Sequence, residues 1–455
     1  MEEFFQKIDN KRIEYNNSLN DKIIENIYYN IDEVVKETVV YKESKWNKLE
    51  DILDRFLTSK VGGIITIVLL LTLVLWITII GANYISEFLG ILLGYIESVL
   101  KSVLKFLRFP EVFISFLVDG VYKAFSAVVS VMLPPMAIFF PLFTFLEDLG
   151  LLPRIAYNLD KLFKLVGSTG NQALTMAMGF GCNAAGVIST RIIKSPKERL
   201  IAIITNNLMP CNGRWPLLIL LSTLFIAPIF YKSNPFLGSF ITAITLVFAV
   251  FIGFIFTMLL SFGLSKTILK DVLSFYVLEL PPLRKPNLLN ILKLSIIDRT
   301  IFVLMRAIYM AAPVGAIVWI INYFNITPYL INFFEPFGRF FGLDGVIILT
   351  YIISLPANEL VIPSLIMLYT SQLTFTEVDN IKSIYDILIN NGWNIKTAIL
   401  VILFCILHNP CSTTILTIYK ETNSIKWTLI STFLPLFIAF TVVFLANKIL
   451  IFFGL

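Results

Sequence analysis

Apolar segments long enough to cross a lipid bilayer recur along the chain from residue 61 to its end. The first of them reads VGGIITIVLLLTLVLWITII, which matches the ~20 apolar residues that a membrane-spanning helix needs. Further long apolar segments lie near residues 124–147, 171–190, 200–231, 236–263, 300–324, 344–370, 396–419 and 427–453. This pattern predicts an all-α, polytopic membrane protein.

Two regions depart from this pattern. Residues 1–60 alternate charged and apolar residues at helical spacing, which predicts two or three short amphipathic helices. Residues 86–107 carry Glu and Lys in an apolar background, which is typical of a helix at the membrane interface. The N-terminus lacks the apolar region of a cleavable signal peptide, so we expect the first span to direct insertion and residues 1–60 to be cytoplasmic.

The composition agrees with a membrane location. Of the 455 residues, 57% are hydrophobic and only 15% are charged, whereas soluble domains average roughly 25% charged residues. The net charge of +5 is modest, so membrane lipid is an expected partner and nucleic acid is not. The four cysteines all fall within apolar segments, which does not indicate a secreted disulfide framework.

The chain contains an internal repeat. A shift of 175 residues aligns five pairs: Pro153 with Pro328, Lys164 with Arg339, Gly167 with Gly342, Gly170 with Gly345, and Asn183 with Asn358. A second shift, of 200 residues, aligns LMPCN with LHNPCS and so places Pro210 on Pro410 and Cys211 on Cys411. Chance matches occur in a chain this rich in Gly and Pro, but each shift accounts for several pairs at once.

The loops after the two broken apolar segments, GFGCN and LPANE, differ in charge. The first loop, RIIKSPKER at 191–199, is basic and should be cytoplasmic, whereas the polar stretch 371–395 has acidic residues and few basic ones. If both broken segments are re-entrant hairpins, the two repeats enter the membrane from opposite sides. This arrangement is the inverted-repeat plan of many transporters, which places discontinuous helices around a site near the midplane.

The predicted organisation follows from these features. The chain divides into cytoplasmic amphipathic helices (1–60), a first transmembrane helix with an interfacial helix (61–123), a first repeat (124–263), a cytoplasmic connection (264–299) and a second repeat (300–455).

Backbone breaks and neighbouring polar side chains are the first candidates for a transport path. Gly179 and Gly181 in one repeat, and Pro356 in the other, should open the helices and free backbone groups, because irregular backbone is tolerated at membrane depth only around a cavity or inside protein. Asn183, Asn358 and Glu359 lie beside these breaks. The alternatives are a close helix contact for the glycines, interhelical hydrogen bonds for the amides and a protonated glutamate.

Thiols and one imidazole are the candidate metal ligands. Cys182, Cys211 and Cys411 lie at a break or directly after a proline, and His408 precedes Cys411 by three residues. Sulfur and imidazole suit soft or borderline first-row cations, although a structural role for His408 is the alternative. Cys405 is interpreted as an apolar filler. The chain has no GxxxxGK[ST] phosphate loop and a single histidine, so we predict no enzyme activity.

Four segments resemble the membrane (gate) domain of the bacterial ferrous-iron transporter FeoB family. They are GFGCN with STRIIKSPKERL, LMPCNGRWPL, SLPANELVIPSLIMLY and HNPCSTTILTIYKETNSIKWTL. The resemblance implies uptake of Fe(II) across the cytoplasmic membrane, with Fe(II) as the transported substrate and without a bound cofactor. It makes Cys182, Cys211 and Cys411 matching candidates for the ion path.

The sequence also departs from this family. AAG follows GFGCN where Val-Pro is common, Asn212 interrupts the usual Cys-Gly, and the N-terminal GTP-binding domain of the family is missing. The resemblance then implies a separate FeoB-type G protein that docks on residues 1–60. It also leaves open a small FeoA-like partner and a homo-oligomer. A permease for nucleosides or other small solutes, and a non-transporting anchor for a soluble partner, are the alternative functions.

Overall fold

The computed structural model describes residues 19–38, 53–230, 235–267, 286–370 and 381–454. Every regular element in these ranges is a helix, which confirms the all-α prediction for the described residues. The predicted N-terminal helices lie partly outside these ranges, as do residues 268–285 of the predicted connection. The part of the N-terminal region that is described includes α1 (Leu19–Thr38), which is amphipathic as expected.

The main helices of the first half lie within the described ranges. They are α1, α2 (Lys60–Phe106), α3 (Glu111–Asp148), α4 (Leu151–Leu165), α5 (Asn171–Gly181), α6 (Asn183–Ser189), α7 (Pro196–Thr205), α8 (Trp215–Leu221) and α9 (Pro235–Lys266). A π-helical stretch, Ser115–Tyr122, lies inside α3.

The second half continues with nine more helices in the described ranges. They are α10 (Leu288–Lys293), α11 (Phe302–Tyr323), α12 (Thr327–Phe341), α13 (Gly345–Ile353), α14 (Val361–Thr370), α15 (Ile381–Asn390), α16 (Ile395–Leu407), α17 (Ser412–Thr422) and α18 (Ile425–Phe452). Thus part of the polar stretch 371–395, which we expected to be a loop, is the helix α15.

The protein is an integral membrane protein. Among the described residues, five helices are long and apolar enough to cross a membrane. The number is six if one bent pair of helices is counted as a single span. The bent pair joins Ala311–Tyr323 to Thr327–Phe341 at an angle of 99°. Because α2 runs unbroken for 47 residues, the structure does not separate the expected first span from the expected interfacial helix. No proline interrupts α2, and its glycines alone do not end a helix.

The buried core lies between the two halves of the chain. Apolar side chains from α3, α8, α14 and α16 meet there, including Phe140, Leu218, Leu365 and Phe404. Close backbone packing helps to join the halves, because a Cβ atom on Gly315 in α11 would lie 2.4 Å from the carbonyl oxygen of Gly120 in α3. Such small-residue contacts let helices approach closely where the hydrophobic effect does not drive association.

The same hydrogen bond occurs twice, at positions 175 residues apart. The amide of Gly170 donates to Asp160 Oδ1 over 2.7 Å, and the amide of Gly345 donates to Glu335 Oε2 over 2.7 Å. Each acid also pairs with the basic residue four positions after it, in the ion pairs Lys164–Asp160 (2.9 Å) and Arg339–Glu335 (2.6 Å). The aligned glycines and basic residues therefore make equivalent contacts.

A second pair of aligned glycines has the same unusual backbone. Gly167 follows α4 with φ of 78°, and Gly342 follows α12 with φ of 81°. Both values lie in the left-handed region that favours glycine at the end of a helix. Both halves therefore contain the same unit, in which a helix is followed by a left-handed glycine and then by a second helix.

Candidate functional site

The GFGCN segment contains a helix break, as predicted, but the break is at the cysteine. Helix α5 ends at Gly181, Cys182 is extended with φ −157° and ψ 127°, and α6 begins at Asn183. Gly179 and Gly181 remain helical in the last turn of α5, so the expectation that they open the helix is wrong. Cys182 instead connects two short helices through a single extended residue.

The two glycines allow close packing. A Cβ atom on Gly181 would lie 2.5 Å from the ring of Phe139, and one on Gly179 would lie 3.0 Å from Asn206 Oδ1. Any larger residue would therefore push away an aromatic ring at one position and a buried amide at the other. The alternative interpretation of these glycines, a close helix contact, describes their role better than a backbone break does.

The second break lies at the aligned position of the other half. Helix α13 ends at Ile353, and Ala357 is extended with φ −151° and ψ 121°. A short 3₁₀ turn, Asn358–Leu360, then leads into α14. Pro356 lies inside this break, as predicted. Ala357 is 175 residues after Cys182, and the two residues have nearly the same backbone angles.

Two further breaks carry the Pro-Cys pairs. Cys211 is extended between the 3₁₀ turns Asn206–Leu208 and Asn212–Arg214, and Cys411 is extended immediately before α17. Pro210 and Pro410 explain these breaks, because proline lacks the amide N–H and drives the preceding residue towards extended backbone. Each thiol therefore lies where some backbone carbonyl groups do not accept a hydrogen bond within a helix.

Side chains from the two halves meet at Asn358. Its Nδ2 donates to Cys211 Sγ over 3.8 Å, and its Oδ1 lies 3.4 Å from His408 Nε2. Cys182 immediately precedes α6 and Cys411 immediately precedes α17, and these two helices pack against each other. The structure thus brings three predicted thiols, one predicted amide and the only histidine into one region. Cys405 is buried in the apolar core.

The two ring nitrogens of His408 have different surroundings. Its Nδ1 lies 2.8 Å from the carbonyl oxygen of Cys405. Because a carbonyl oxygen can only accept, Nδ1 carries the proton and Nε2 is the atom that faces Asn358. His408 therefore has the structural role at the end of α16 that was the alternative prediction. Its Nε2 still faces the side-chain amide of Asn358, which contacts Cys211.

Glu359 packs against the turn that follows Cys211. A Cβ atom on Gly213 would lie 2.5 Å from Glu359 Oε1, so the glycine makes room for the carboxylate. Gly213 is two residues after Cys211. The predicted carboxylate of the second half therefore lies beside a thiol of the first half.

Sequence reasoning missed Arg214, which joins the two Pro-Cys breaks. The side chain is 1% exposed. Its Nη1 donates to the carbonyl oxygens of Asn207 (2.9 Å) and Ile406 (2.8 Å), and its Nη2 donates to those of His408 (3.0 Å) and Asn409 (3.3 Å). The guanidinium thus satisfies carbonyl groups that both breaks leave open. A charge inside an apolar segment was the available signal.

A second missed contact joins the basic loop to the end of α17. Arg191 and Arg199 donate to Glu421 over 2.6 and 2.7 Å, and the Glu421 side chain is only 5% exposed. The loop that follows the first broken segment is therefore tied to the second half by a shared carboxylate.

The candidate ligands do not form a closed metal site. Among the residues that the structure describes, no group of three or more His, Cys, Asp or Glu side chains could hold a metal ion. The thiols and His408 are brought near one another without being arranged around one point. Their role as ligands stays a prediction.

Comparison with known families bears on this arrangement. A family described as "Nucleoside recognition" (Gate) matches residues 129–225 and 304–425, which include all four breaks. A second family, "Ferrous iron transport protein B C terminus" (FeoB_C), matches residues 246–297. The resemblance to the FeoB family is confirmed.

Individual FeoB proteins match most of the chain. The Fe(2+) transporter FeoB of Staphylococcus aureus (strain MSSA476) is 26% identical over 441 residues, which cover 92% of this chain and 62% of the relative. The Fe(2+) transporter FeoB of Methanocaldococcus jannaschii is 27% identical, over 94% of this chain and 62% of the relative. This chain therefore spans about three fifths of the length of these relatives.

A third relative is a fusion protein. The Fe(2+) transport protein A/Fe(2+) transporter FeoB fusion protein of Porphyromonas gingivalis is 23% identical, over 91% of this chain and 53% of the relative. No solved structure matches the chain.

Proposed function

We propose that this chain is the membrane part of a transporter that moves Fe(II) into the cytoplasm. The meeting of Cys211, Asn358 and His408 at facing backbone breaks supports this function most directly. Sulfur, imidazole and amide oxygen are donors that Fe(II) accepts. The FeoB relatives are named Fe(2+) transporters, and this substrate agrees with the donors present.

The ion path runs through the broken segments. Cys182, Cys211 and Cys411 contact Fe(II) transiently, while Asn183, Asn358 and Glu359 line the polar route and Gly179 and Gly181 keep the first hairpin tightly packed. An open set of ligands suits transport, because a closed tetrahedral thiolate site would hold the ion too firmly to release it.

The two halves are inverted repeats with re-entrant broken helices. The matching hydrogen bonds at Gly170 and Gly345, and the matching backbone at Cys182 and Ala357, support a repeated unit. The basic loop 191–199 favours the cytoplasm for the mouth of the first hairpin. The second hairpin then opens on the outer face, and the boundaries at 123, 263 and 299 separate the two repeats and their connection.

The cytoplasmic face carries the regulatory partners. A FeoB-type G protein controls the path and docks on residues 1–60, and the N-terminus is cytoplasmic in a multi-pass protein of the cytoplasmic membrane. The fusion relative supports a small FeoA-like partner. Self-association into a homo-oligomer fits the same arrangement.

Flux measurements on purified protein test this function. Vesicles that contain the chain, with or without a candidate GTPase and GTP, should accumulate radiolabelled Fe(II) faster than empty vesicles. The description "Nucleoside recognition" for the matching family favours nucleosides as the alternative substrate. Nucleoside entry that ignores Fe(II) would contradict the proposal in favour of that permease, and no flux of either solute would leave only an anchor.

A further inference from the structure

Helices α6 and α17 both begin at a thiol and lead to the same group of ion pairs. α6 begins directly after Cys182 and α17 directly after Cys411, and the two helices pack against each other. The chain then reaches Arg191 just after α6, and it reaches Glu421 in the last turn of α17. Because Arg191 and Glu421 are in contact, the two segments that start at the thiols stay side by side as far as this ion pair.

Glu421 joins the loop 191–199 to α17 through both of its carboxylate oxygens. Arg191 donates from Nε and Nη2 to Oε1 over 3.1 and 2.6 Å, and Arg199 Nη2 donates to Oε2 over 2.7 Å. Hydrogen bonds between charged groups are stronger than those between neutral groups, and salt screens them less when one partner is buried, as the Glu421 side chain is. The carboxylate therefore holds the loop against the end of α17.

Three apolar side chains form a buried cluster on the same helices. They are Val187 of α6, Ile203 of α7 and Ile418 of α17. Along the chain, Val187 lies between Cys182 and the ion pairs, as Ile418 lies between Cys411 and the ion pairs. An apolar cluster offers an ion no polar atom in place of its water, so it is a barrier to an ion that moves along these helices.

Helix α6 is short and has extended residues on both sides. Cys182 precedes it in an extended conformation, and after the 3₁₀ turn Thr190–Ile192 the chain is extended again at Ile193. A few residues at the ends of an element can absorb the change in backbone angles when that element moves. α6 can therefore separate from α17 as a unit while the longer helices stay folded.

We infer that the contact between α6 and α17 is a closed gate, which the ion pairs of Glu421 hold shut between the thiols and the loop 191–199. This gate rests on the proposed function, since it controls the same ion path as the thiols. Opening it requires the two arginines to leave Glu421 and the three apolar side chains to separate. The ion pairs therefore set how much of the protein is in the open state.

The rate at which a water-soluble reagent modifies each cysteine tests the gate. The purified full-length chain in detergent is treated with a small cationic methanethiosulfonate, and mass spectrometry follows the modification of each thiol. Glu421→Gln removes the charge and keeps the size of the side chain, so it should increase the population of the open state. We expect Cys182 and Cys411 to react at least about tenfold faster in Glu421→Gln than in wild type.

Two controls separate opening of the gate from a general loss of structure. Cys405 is buried in the apolar core, so its rate should be the same in wild type and in Glu421→Gln. Lys420→Gln changes the charge at the neighbouring exposed position and should leave the rates of all the thiols at their wild-type values.

A milder variant gives a second measurement of the same contact. Arg191→Gln leaves Arg199 bound to Glu421, so it should accelerate the reaction of Cys182 less than Glu421→Gln does. Wild-type rates for Cys182 and Cys411 in Glu421→Gln would overturn the gate, and so would an equal acceleration at Cys405. Because labelling needs no metal, the expected labelling without any Fe(II) flux would contradict only the proposed function.

Discussion

Asn358 donates a hydrogen bond to the sulfur of Cys211 over 3.8 Å, although 147 residues separate them in the chain. One residue follows the break at Ala357, and the other follows Pro210 in the opposite half. The contact therefore joins two unwound segments that the aligned motifs place in separate repeats.

Removing this amide should slow transport. Asn358→Ala removes the donor to Cys211 Sγ and the amide oxygen that lies beside His408 Nε2, so Fe(II) uptake by cells should fall roughly tenfold at equal membrane abundance. Asn391→Ala, at an exposed position at the end of α15, should have normal uptake. Normal uptake in Asn358→Ala would show that the amide has no role in the path.

Arg214 should be essential for stability. Arg214→Leu leaves several buried carbonyl groups without donors, at about 1–3 kcal/mol each, so the variant should unfold at a clearly lower temperature in detergent. Arg339→Leu is the comparison, because that side chain is 76% exposed and its ion pair is worth about 1 kcal/mol or less. Equal melting temperatures for the two variants would contradict the bridging role.

The amino-acid pattern predicts some of these features and not others. The helical class and the breaks in GFGCN and LPANE follow from apolar segments interrupted by Gly, Pro and polar residues, which are local signals. For Cys211 and Cys411 the pattern marked only the preceding proline. The predicted position of the first break, at Gly179 and Gly181, differs by one to three residues from the observed break at Cys182. The two glycines allow close packing and do not open the helix. Arg214 and the contact of Arg191 with Glu421 were missed, since these partners are brought together only by tertiary packing.

Glu198 should make stability depend on pH. Burial raises the pKa of Glu198 above its usual value, and the charge of Asp160 raises it further, while Lys197 and Lys164 lower it. The folded protein therefore binds this proton more tightly than the unfolded chain, and stability falls as the pH rises from about 4.5 through the raised pKa. Thermal unfolding between pH 4 and 8 should show that fall.

Glu198→Gln isolates this contribution. The variant should lose that part of the pH dependence and gain stability relative to wild type at neutral pH, whereas Glu111→Gln, at an exposed position, should follow the wild-type curve. A Glu198→Gln profile parallel to wild type would show that the pH dependence has another source.

The inverted repeats predict opposite sides for two exposed positions. In a background without native cysteines, Lys194→Cys should react with a membrane-impermeant maleimide only in inside-out vesicles. Asp386→Cys in α15 should react only in intact cells or right-side-out vesicles. Labelling of both positions from the same side would contradict the inversion while leaving the repeat itself intact.

In the proposed path, Fe(II) passes the thiols at the breaks that contain Cys182 and Cys211. Radiolabelled Fe(II) entry into vesicles should be compared for Cys182→Ser, Cys211→Ser and Cys405→Ser at equal protein content. We predict that the first two variants lose at least about tenfold in rate and that Cys405→Ser keeps the wild-type rate. Wild-type entry in both Cys182→Ser and Cys211→Ser would contradict this path for the ion.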